Sequence, residues 1–416
     1  MTQCPFHHPL DLDAYREGMP YAELTALRAQ GSLVWFEDEK SGKPYWLAVK
    51  QDALDFISRN PSLFSSQLEG PFAMEPETEL QRETMKIMND NSFIAMDPPR
   101  HMAHRRVVKD AFTPKSVDAM EPWLREKAKA IVDRVASRGH CEFVEEVAAE
   151  LPLLAILKLL GVPQTDSKQF FEWTNVMAFA DDPDVATGPD EANAVSLEVM
   201  LYAMELAKKQ RDGYTGPVIQ ALLEGEIEGQ PVNDEMFAWL FILLMVGGNE
   251  STRTAIAHGM RLLMEHPNQL QHLVDHPEEI PGAVEEMLRF NTAFITMRRT
   301  ATQDIEWQGY QIAKGDKVVL HYHAVNHDEA VFGDDATQFD IHRHKRMPNL
   351  ARELRSFGIG QHFCLGMSLA RLEMRIMFEE LLPRLRNPKL SGDITYMRSF
   401  LINTIKKMPI SFTPEA

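Results

Sequence analysis

Between about residue 120 and residue 290, apolar side chains recur three and four positions apart, the period of helices buried along one face. Leu151, Leu154, Ala155 and Leu159 follow this spacing until Gly161-Val162-Pro163 interrupts it. Leu365, Leu369, Leu372 and Ile376 repeat the pattern near the C-terminus and predict a helix that begins at Cys364. Runs with strand character are short and lie toward both ends, as at Tyr45–Val49 and Lys317–His321. Trp307-Gln308-Gly309-Tyr310 reads as a turn leading into Gln311-Ile312. The pattern predicts a mainly α chain with minor β. No repeat or low-complexity linker divides it, so one large domain over residues 1–416 is expected. The N-terminal ~10 residues are expected to be disordered. Residues 181–190, acidic and broken by Pro and Gly, read as a solvated connection or a mobile lid.

Composition narrows the class. Of 416 residues, 43 are basic and 61 acidic, for a net charge of −18, with 44% hydrophobic and 25% charged residues. That balance belongs to a folded globular chain. The surplus of acid argues against nucleic-acid binding, which needs a basic face. The strongest apolar run, Trp239 to Val246, is short of the ~20 residues that cross a bilayer. The N-terminus shows no basic segment followed by an apolar one, so a cytoplasmic protein with no membrane anchor is expected. Three cysteines, Cys4, Cys141 and Cys364, are too few and too irregular for a disulfide framework. Cys364 then stands out as a lone thiol available as ligand or nucleophile.

Its surroundings are Phe357-Gly358-Ile359-Gly360-Gln361-His362-Phe363-Cys364-Leu365-Gly366. A thiolate at the positive end of a helix is stabilised by the helix dipole, which lowers its pKa. Gly358 and Gly360 allow the preceding backbone to turn tightly, and Gly366 leaves room for something flat to approach. This ten-residue pattern resembles the haem-ligand loop of the cytochromes P-450, in which one cysteine thiolate is the axial iron ligand. The resemblance implies that Cys364 is that ligand, that His362 touches a haem propionate, and that Phe357 and Gly366 border the cofactor.

Other stretches carry the same resemblance in the family's order. Glu286-Met287-Leu288-Arg289 matches the Glu-x-x-Arg element, whose two side chains pair one helical turn apart. In the family they form a structural lock with a later arginine, here Arg343 or Arg346. Asp97-Pro98-Pro99-Arg100-His101 through Arg105-Arg106 matches a propionate-binding segment, with His101 and Arg105 one turn apart. Ala111-Phe112-Thr113-Pro114 follows it, as in many bacterial members. Arg299 matches the remaining propionate arginine, with Arg298 its competitor. Leu244-Met245-Val246-Gly247-Gly248-Asn249-Glu250-Ser251-Thr252-Arg253 resembles the helix that passes over the haem. There Gly247 and Gly248 make room for oxygen and substrate, and Glu250 and Ser251 match the acid and alcohol of the proton-delivery pair. Serine stands where the family usually has threonine. Thr252 follows at once, but one helical step turns a side chain by ~100°, so it faces elsewhere.

By this resemblance the chain is a bacterial cytochrome P-450 with a single haem-enclosing domain, haem b and O2 as co-substrate. It implies hydroxylation of a hydrophobic small molecule of terpenoid, steroid or alkyl type. Electrons would come from an acidic ferredoxin and an NAD(P)H-dependent reductase. A peroxide-driven peroxygenase and a non-catalytic haem-thiolate sensor or electron carrier are the rival readings, both disfavoured by the Glu250/Ser251 pair. The implied substrate pocket draws on Met88, Phe93, Met177, Val246, Gly247, Ala293, Met297, Leu401 and Ile402. Two histidine groups, Cys4/His7/His8 and His321/His323, lack four ligands at structural-zinc spacing, so no structural zinc is expected. A frayed terminus and a polar surface strand account for them instead. Finally, Arg100, Arg105, Arg106 and Lys109, with Arg343, Lys345, Arg346, Arg352 and Arg355, predict a local basic patch that steers the acidic ferredoxin.

Overall fold

In a computed structural model the chain is described over residues 8–37, 42–76, 78–180, 182–211, 213 and 216–415. Helix dominates. The longest helix runs from Asp234 to Glu265, and Asn233 caps it by accepting from the Met236 N–H at 2.9 Å. It is buried on nearly every side, as expected of a helix without a clean polar face. Around it pack the helices Glu150–Leu159, Ser167–Ala178, Pro189–Gln210, Ile280–Phe290 and Met367–Leu381. Glu150–Leu159 buries every residue except Glu150 and Lys158, and the chain then turns at Gly161, whose φ is +67°.

The β component is minor. Leu33–Phe36, Tyr45–Ala48, Lys317–His321, Thr296–Ala301 and Phe64–Ser65 form one sheet in that spatial order. Only the Tyr45–Ala48 and Lys317–His321 pair is parallel. The turn expected at Gln308-Gly309 joins Ile305–Trp307 to Tyr310–Ile312, with φ of 49° and 84° at its two central residues. Two positive values in succession are what a two-residue hairpin turn demands. Thr395–Tyr396 pairs with Ile405–Lys407, and the bend between them brings Leu401 and Ile402 against Ala293 to Ile295.

Three sequence expectations are corrected. The C-terminal helix starts at Met367 rather than Cys364, because Gly366, at φ −84° and ψ 6°, departs from the helical backbone and caps it, while the Cys364 N–H closes the loop on the Phe357 carbonyl at 2.8 Å. Lys317–His321 is no surface strand, being buried at all five positions. His321 caps the next turn through the Ala324 N–H at 3.1 Å, and His323 stacks on His327 at 4.7 Å, so the two do not share a ligand site. The acidic loop after Phe179 is solvated at Pro183, Asp184 and Thr187 but fastened at one buried point rather than free as a mobile lid. Asp182 is 2% exposed and bonds Lys406 at 2.9 and 3.1 Å. Cys4, His7 and Asp181 lie outside the described residues. Among the described residues no helix is long and apolar enough to cross a membrane.

The Glu-x-x-Arg pair is fully buried. Arg289 grips Glu286 through two hydrogen bonds of 2.7 and 2.8 Å. The third member is Arg343, which donates to Glu286 at 3.1 and 3.2 Å and to the carbonyls of Phe332, Asp335 and Gln338. Arg346 instead pairs with Asp335 and Asp340 at the surface. A buried charge cluster of this kind holds because every donor finds an acceptor.

Candidate functional site

The loop from Phe357 to Gly366 is shaped by its glycines. Gly358 and Gly360 have φ of 68° and 76°, and a Cβ on Gly360 would press on the Ser58 carbonyl at 2.4 Å. Cys364 is thereby delivered just before the helix Met367–Leu381. The N–H groups of Gly366 and Met367 point at its sulfur. Burial pushes the thiol pKa up, while those donors and the charges of Arg105 and Arg371 pull it down. Burial wins in the protein alone, so the downward shift expected from the helix end is not met. An adjoining metal cation is the partner that would make a thiolate stable there.

Four nitrogen-bearing side chains gather beside this loop. The rings of His101 and His362 lie 4.4 Å apart, and Arg105 donates to the Phe363 carbonyl at 2.5 Å. Arg299 donates to the Arg298 carbonyl at 2.7 Å, and its charge reaches both His101 and His362. Burial first, then these guanidiniums, holds His101 down to about 4 and His362 down to about 2. Both are neutral at pH 7. Arg298 points the other way, to Glu75 at 3.0 Å. Neither Arg105 nor Arg299 enters an ion pair among the described residues, and both nitrogens of the buried His101 lack a partner. Such a cluster of buried and half-buried donors, with no ion pair on either guanidinium, is suited to an anion.

Opposite features belong to the central helix. Gly247 is exposed, and a Cβ built on it meets nothing within 4 Å. Gly248 differs, because a Cβ there would meet Ile156 at 2.9 Å, so it serves close helix packing. Ser251 Oγ donates to the Gly247 carbonyl at 2.9 Å, whereas Thr252 is 4% exposed. Glu250 is buried against Arg253, with Asn249 donating to it at 2.9 Å and Arg253 reaching Asn175 at 2.8 Å. Burial raises the Glu250 pKa and Arg253 opposes the rise.

Of the expected pocket residues, Leu401 and Ile402 share an apolar cluster with Phe179, Phe294 and Met397, beside Ala293. Met177 and Val246 pack together against the main core, and Phe93 lies 5.9 Å from the His101 ring. Met297 packs on the sheet-side cluster, and Met88 is half-buried at the helix Glu79–Asn91. Arg253, Asn175 and Thr174, which enclose Glu250, were not anticipated. The i, i+3 spacing of Glu250 and Arg253 was the available signal. Ser66, whose hydroxyl lies 3.1 Å from His362 Nε2, gave none.

A flat, dianionic iron porphyrin fits this chemistry. Open space at Gly247 and Gly366, a soft sulfur ligand and an uncompensated cationic cluster are its requirements. Comparison with known proteins agrees. The family model described as Cytochrome P450 matches residues 198–395. A steroid C26-monooxygenase of Rhodococcus jostii is 34% identical over 411 residues, covering 97% of this chain and 84% of that one. A methyl-branched lipid omega-hydroxylase of Mycobacterium tuberculosis is 36% identical over 378 residues, covering 90% and 85%. The structure of a Mycobacterium marinum cytochrome P450 in complex with pseudoionone superposes with a TM-score of 0.84 at 32% identity, covering 94% of each chain. Fold and site thus define a haem-thiolate oxidoreductase. The chain belongs to the cytochrome P450 family and is a monooxygenase acting on hydrophobic substrates.

Proposed function

We propose that Cys364 ligates the haem iron, that His101, Arg105, Arg299 and His362 hold the propionates of haem b, and that the substrate is a branched hydrocarbon of terpenoid, steroid or alkyl type. The observation that carries this reading is the pair of arginines beside the Cys364 loop, Arg299 buried and Arg105 half-buried, neither in an ion pair among the described residues. Two neutral imidazoles and two guanidiniums match two propionates, each taking one strong cation and one neutral donor. When bound, the haem activates O2 and inserts one oxygen atom into a C–H bond.

The chain's own residues supply the rest. N–H donors from Gly366 and Met367 spread the charge of the Cys364 sulfur. Gly247 lets small molecules approach the helix backbone, and Ser251 places a hydroxyl one turn away as a proton donor. Glu250 holds the acid of that relay in reserve, paired with Arg253 until water or rotation links it to Ser251. Phe179, Phe294, Leu401 and Ile402 exclude water and bind an apolar chain without a fixed countercharge. Named relatives that oxidise steroids and methyl-branched lipids support a hydrocarbon-like substrate. Electrons come from an acidic ferredoxin in the cytoplasm, docking beside the cleft of about 420 Å³ at the Cys364 loop, where Arg352 is the lining cation outside any ion pair among the described residues while Arg355 and Arg371 are held by Asp55 and Glu285.

The test has two parts. The reduced carbon monoxide complex must show a thiolate-ligated spectrum in the wild type and lose it in Cys364→Ser. Titration with branched terpenoid, steroid and alkyl compounds must shift the spin state for at least one class. Turnover with ferredoxin and NAD(P)H must exceed turnover with peroxide; the reverse would make the enzyme a peroxygenase.

A further inference from the structure

Away from the cysteine loop, three segments meet at the edge of the buried lock. His272 lies in the helix Pro267–Asp275. Glu279 ends the short turn that leads directly into the helix of Glu286 and Arg289. His342 immediately precedes Arg343. Oε2 of Glu279 lies 3.2 Å from Nε2 of His272 and 3.2 Å from Nδ1 of His342. The two imidazoles stand 4.5 Å apart at 84° to one another. All three ligand atoms fall within 4.8 Å of each other, the one such group among the described residues.

Those three atoms are shielded from solvent, yet none makes a hydrogen bond of acceptable geometry. Two nitrogens therefore face one carboxylate oxygen at contact distance without an aligned proton between them. Buried polar atoms left in that condition are rare in folded proteins and call for a partner. The spacing supplies one. Two ligands at zinc distances of ~2.0–2.2 Å, held at a tetrahedral angle, stand about 3.3 Å apart.

The surroundings preorganise the group. Lys345 Nζ donates to the other Glu279 oxygen at 2.7 Å, turning Oε2 toward the histidines. Gln269 clamps the segment before His342 from the His272 helix, bonding the Phe339 carbonyl at 3.0 Å and the Ile341 N–H at 2.8 Å. Gly282 permits the close approach, since a Cβ there would come within 2.5 Å of the His344 ring. His276 stands outside, its Nδ1 turned to Glu278 at 3.3 Å.

We propose that His272, Glu279 and His342 bind one zinc ion, with water completing the tetrahedron, and that the ion clamps the segment carrying Arg343 to the helices on either side of the lock. Two imidazoles and one carboxylate are a recurrent zinc donor set, and a carboxylate held from outside is the supporting contact such sites need. The site is independent of the haem and of the substrate, and it carries no catalytic role.

The holoenzyme, treated with EDTA and dialysed with its haem spectrum intact, is titrated with zinc by calorimetry and assayed for metal content. One zinc per chain beyond the haem iron is expected, with a rise in melting temperature. His272→Ala and Glu279→Gln should each weaken zinc binding at least tenfold, and Cys4→Ser/His7→Ala should leave it within twofold. Absence of saturable 1:1 binding, or binding in His272→Ala within twofold of wild type, overturns the proposal; so does loss of binding in the Cys4/His7 variant. Because substitutions near Arg343 risk unfolding, the wild type gives a second measure. X-ray absorption at the zinc edge should show two imidazoles and one carboxylate around the ion, and a coordination shell without imidazole also overturns it.

Discussion

Ser251 Oγ donates to the Gly247 carbonyl at 2.9 Å, so the hydroxyl lies back along the central helix toward Gly247, which faces open space where that helix's Gly248 and Gly259 do not. Thr252, a single residue later, is buried away from it. The helical step of ~100° separates the two hydroxyls more than their adjacency implies. Loss of the Ser251 hydroxyl should therefore interrupt proton supply, and loss of the Thr252 hydroxyl should not. Hydrogen peroxide released per NAD(P)H consumed is expected to rise severalfold in Ser251→Ala and stay near wild type in Thr252→Ala. Uncoupling confined to the Thr252 variant would reverse the assignment.

Glu250 and Arg253 form an ion pair in which the side chains are 1% and 2% exposed. Removing the cation strands a buried carboxylate, which typically costs about 3–5 kcal/mol. Arg253→Met should show that loss in urea unfolding, whereas Glu250→Gln/Arg253→Met, with no charge left to strand, should recover most of it. A double variant no more stable than the single one would show that Arg253 acts through packing on Phe171 and Phe179 rather than through charge.

Arg343 and Arg346 lie one helical turn apart but differ in burial, at 1% and 46% exposed. Arg343→Ala takes from Glu286 one of its two arginines and leaves the buried carbonyls of Phe332 and Asp335 without that donor, and should destabilise the fold by about 3–5 kcal/mol, with haem loss on purification. Arg346→Ala breaks only surface pairs worth about 0–1 kcal/mol. Urea midpoints and haem content of the two variants decide the matter, and equal losses would refute it.

The lock shows how far the chain could be read before its structure was known. Glu286 and Arg289 were legible because their partnership is local, set by helical spacing. Arg343 was not separable from Arg346, since the choice depends on the path of an irregular segment past a distant helix. The same holds for Arg298 and Arg299. Strand alternation says that neighbours face opposite ways, but only the positions of Glu75 and His101 say which face is which. The cysteine loop was legible because its chemistry sits in ten consecutive residues. His272, Glu279 and His342 were invisible because three separate segments contribute one ligand each.

Glu373 is fully buried on the helix Met367–Leu381, and one of its carboxyl oxygens has no hydrogen-bond partner among the described residues. Burial raises its pKa well above the ordinary value, so the folded chain keeps a proton that the unfolded chain releases near pH 4.3. Stability from this group is complete below about pH 4.3 and declines as pH rises toward the folded value, by about 1.4 kcal/mol per unit. Glu373→Gln removes that slope. Unfolding free energies at pH 5, 6 and 7 should fall more steeply for wild type than for the variant. Parallel profiles would show that the carboxyl is ionised in the fold.

Charge near the cysteine loop decides how an acidic partner is steered. Simple counting over residues 340–355 overstates it, because Arg343 is consumed by the lock and Arg355 by Asp55 at 2.6 and 2.8 Å. Arg346 is likewise neutralised by Asp335 and Asp340, and Lys345 by Glu279. Arg106, Lys109 and Arg352 remain exposed and outside any ion pair among the described residues. The steering field should come from these three. Arg106→Glu/Lys109→Glu and Arg352→Glu should each slow reduction by a ferredoxin several-fold at low salt, and Arg346→Ala should not. The differences should shrink as ionic strength rises toward about 1 M, where the screening length falls to about 3 Å. Stopped-flow reduction rates indifferent to both salt and these charge reversals would place the docking surface elsewhere on the molecule.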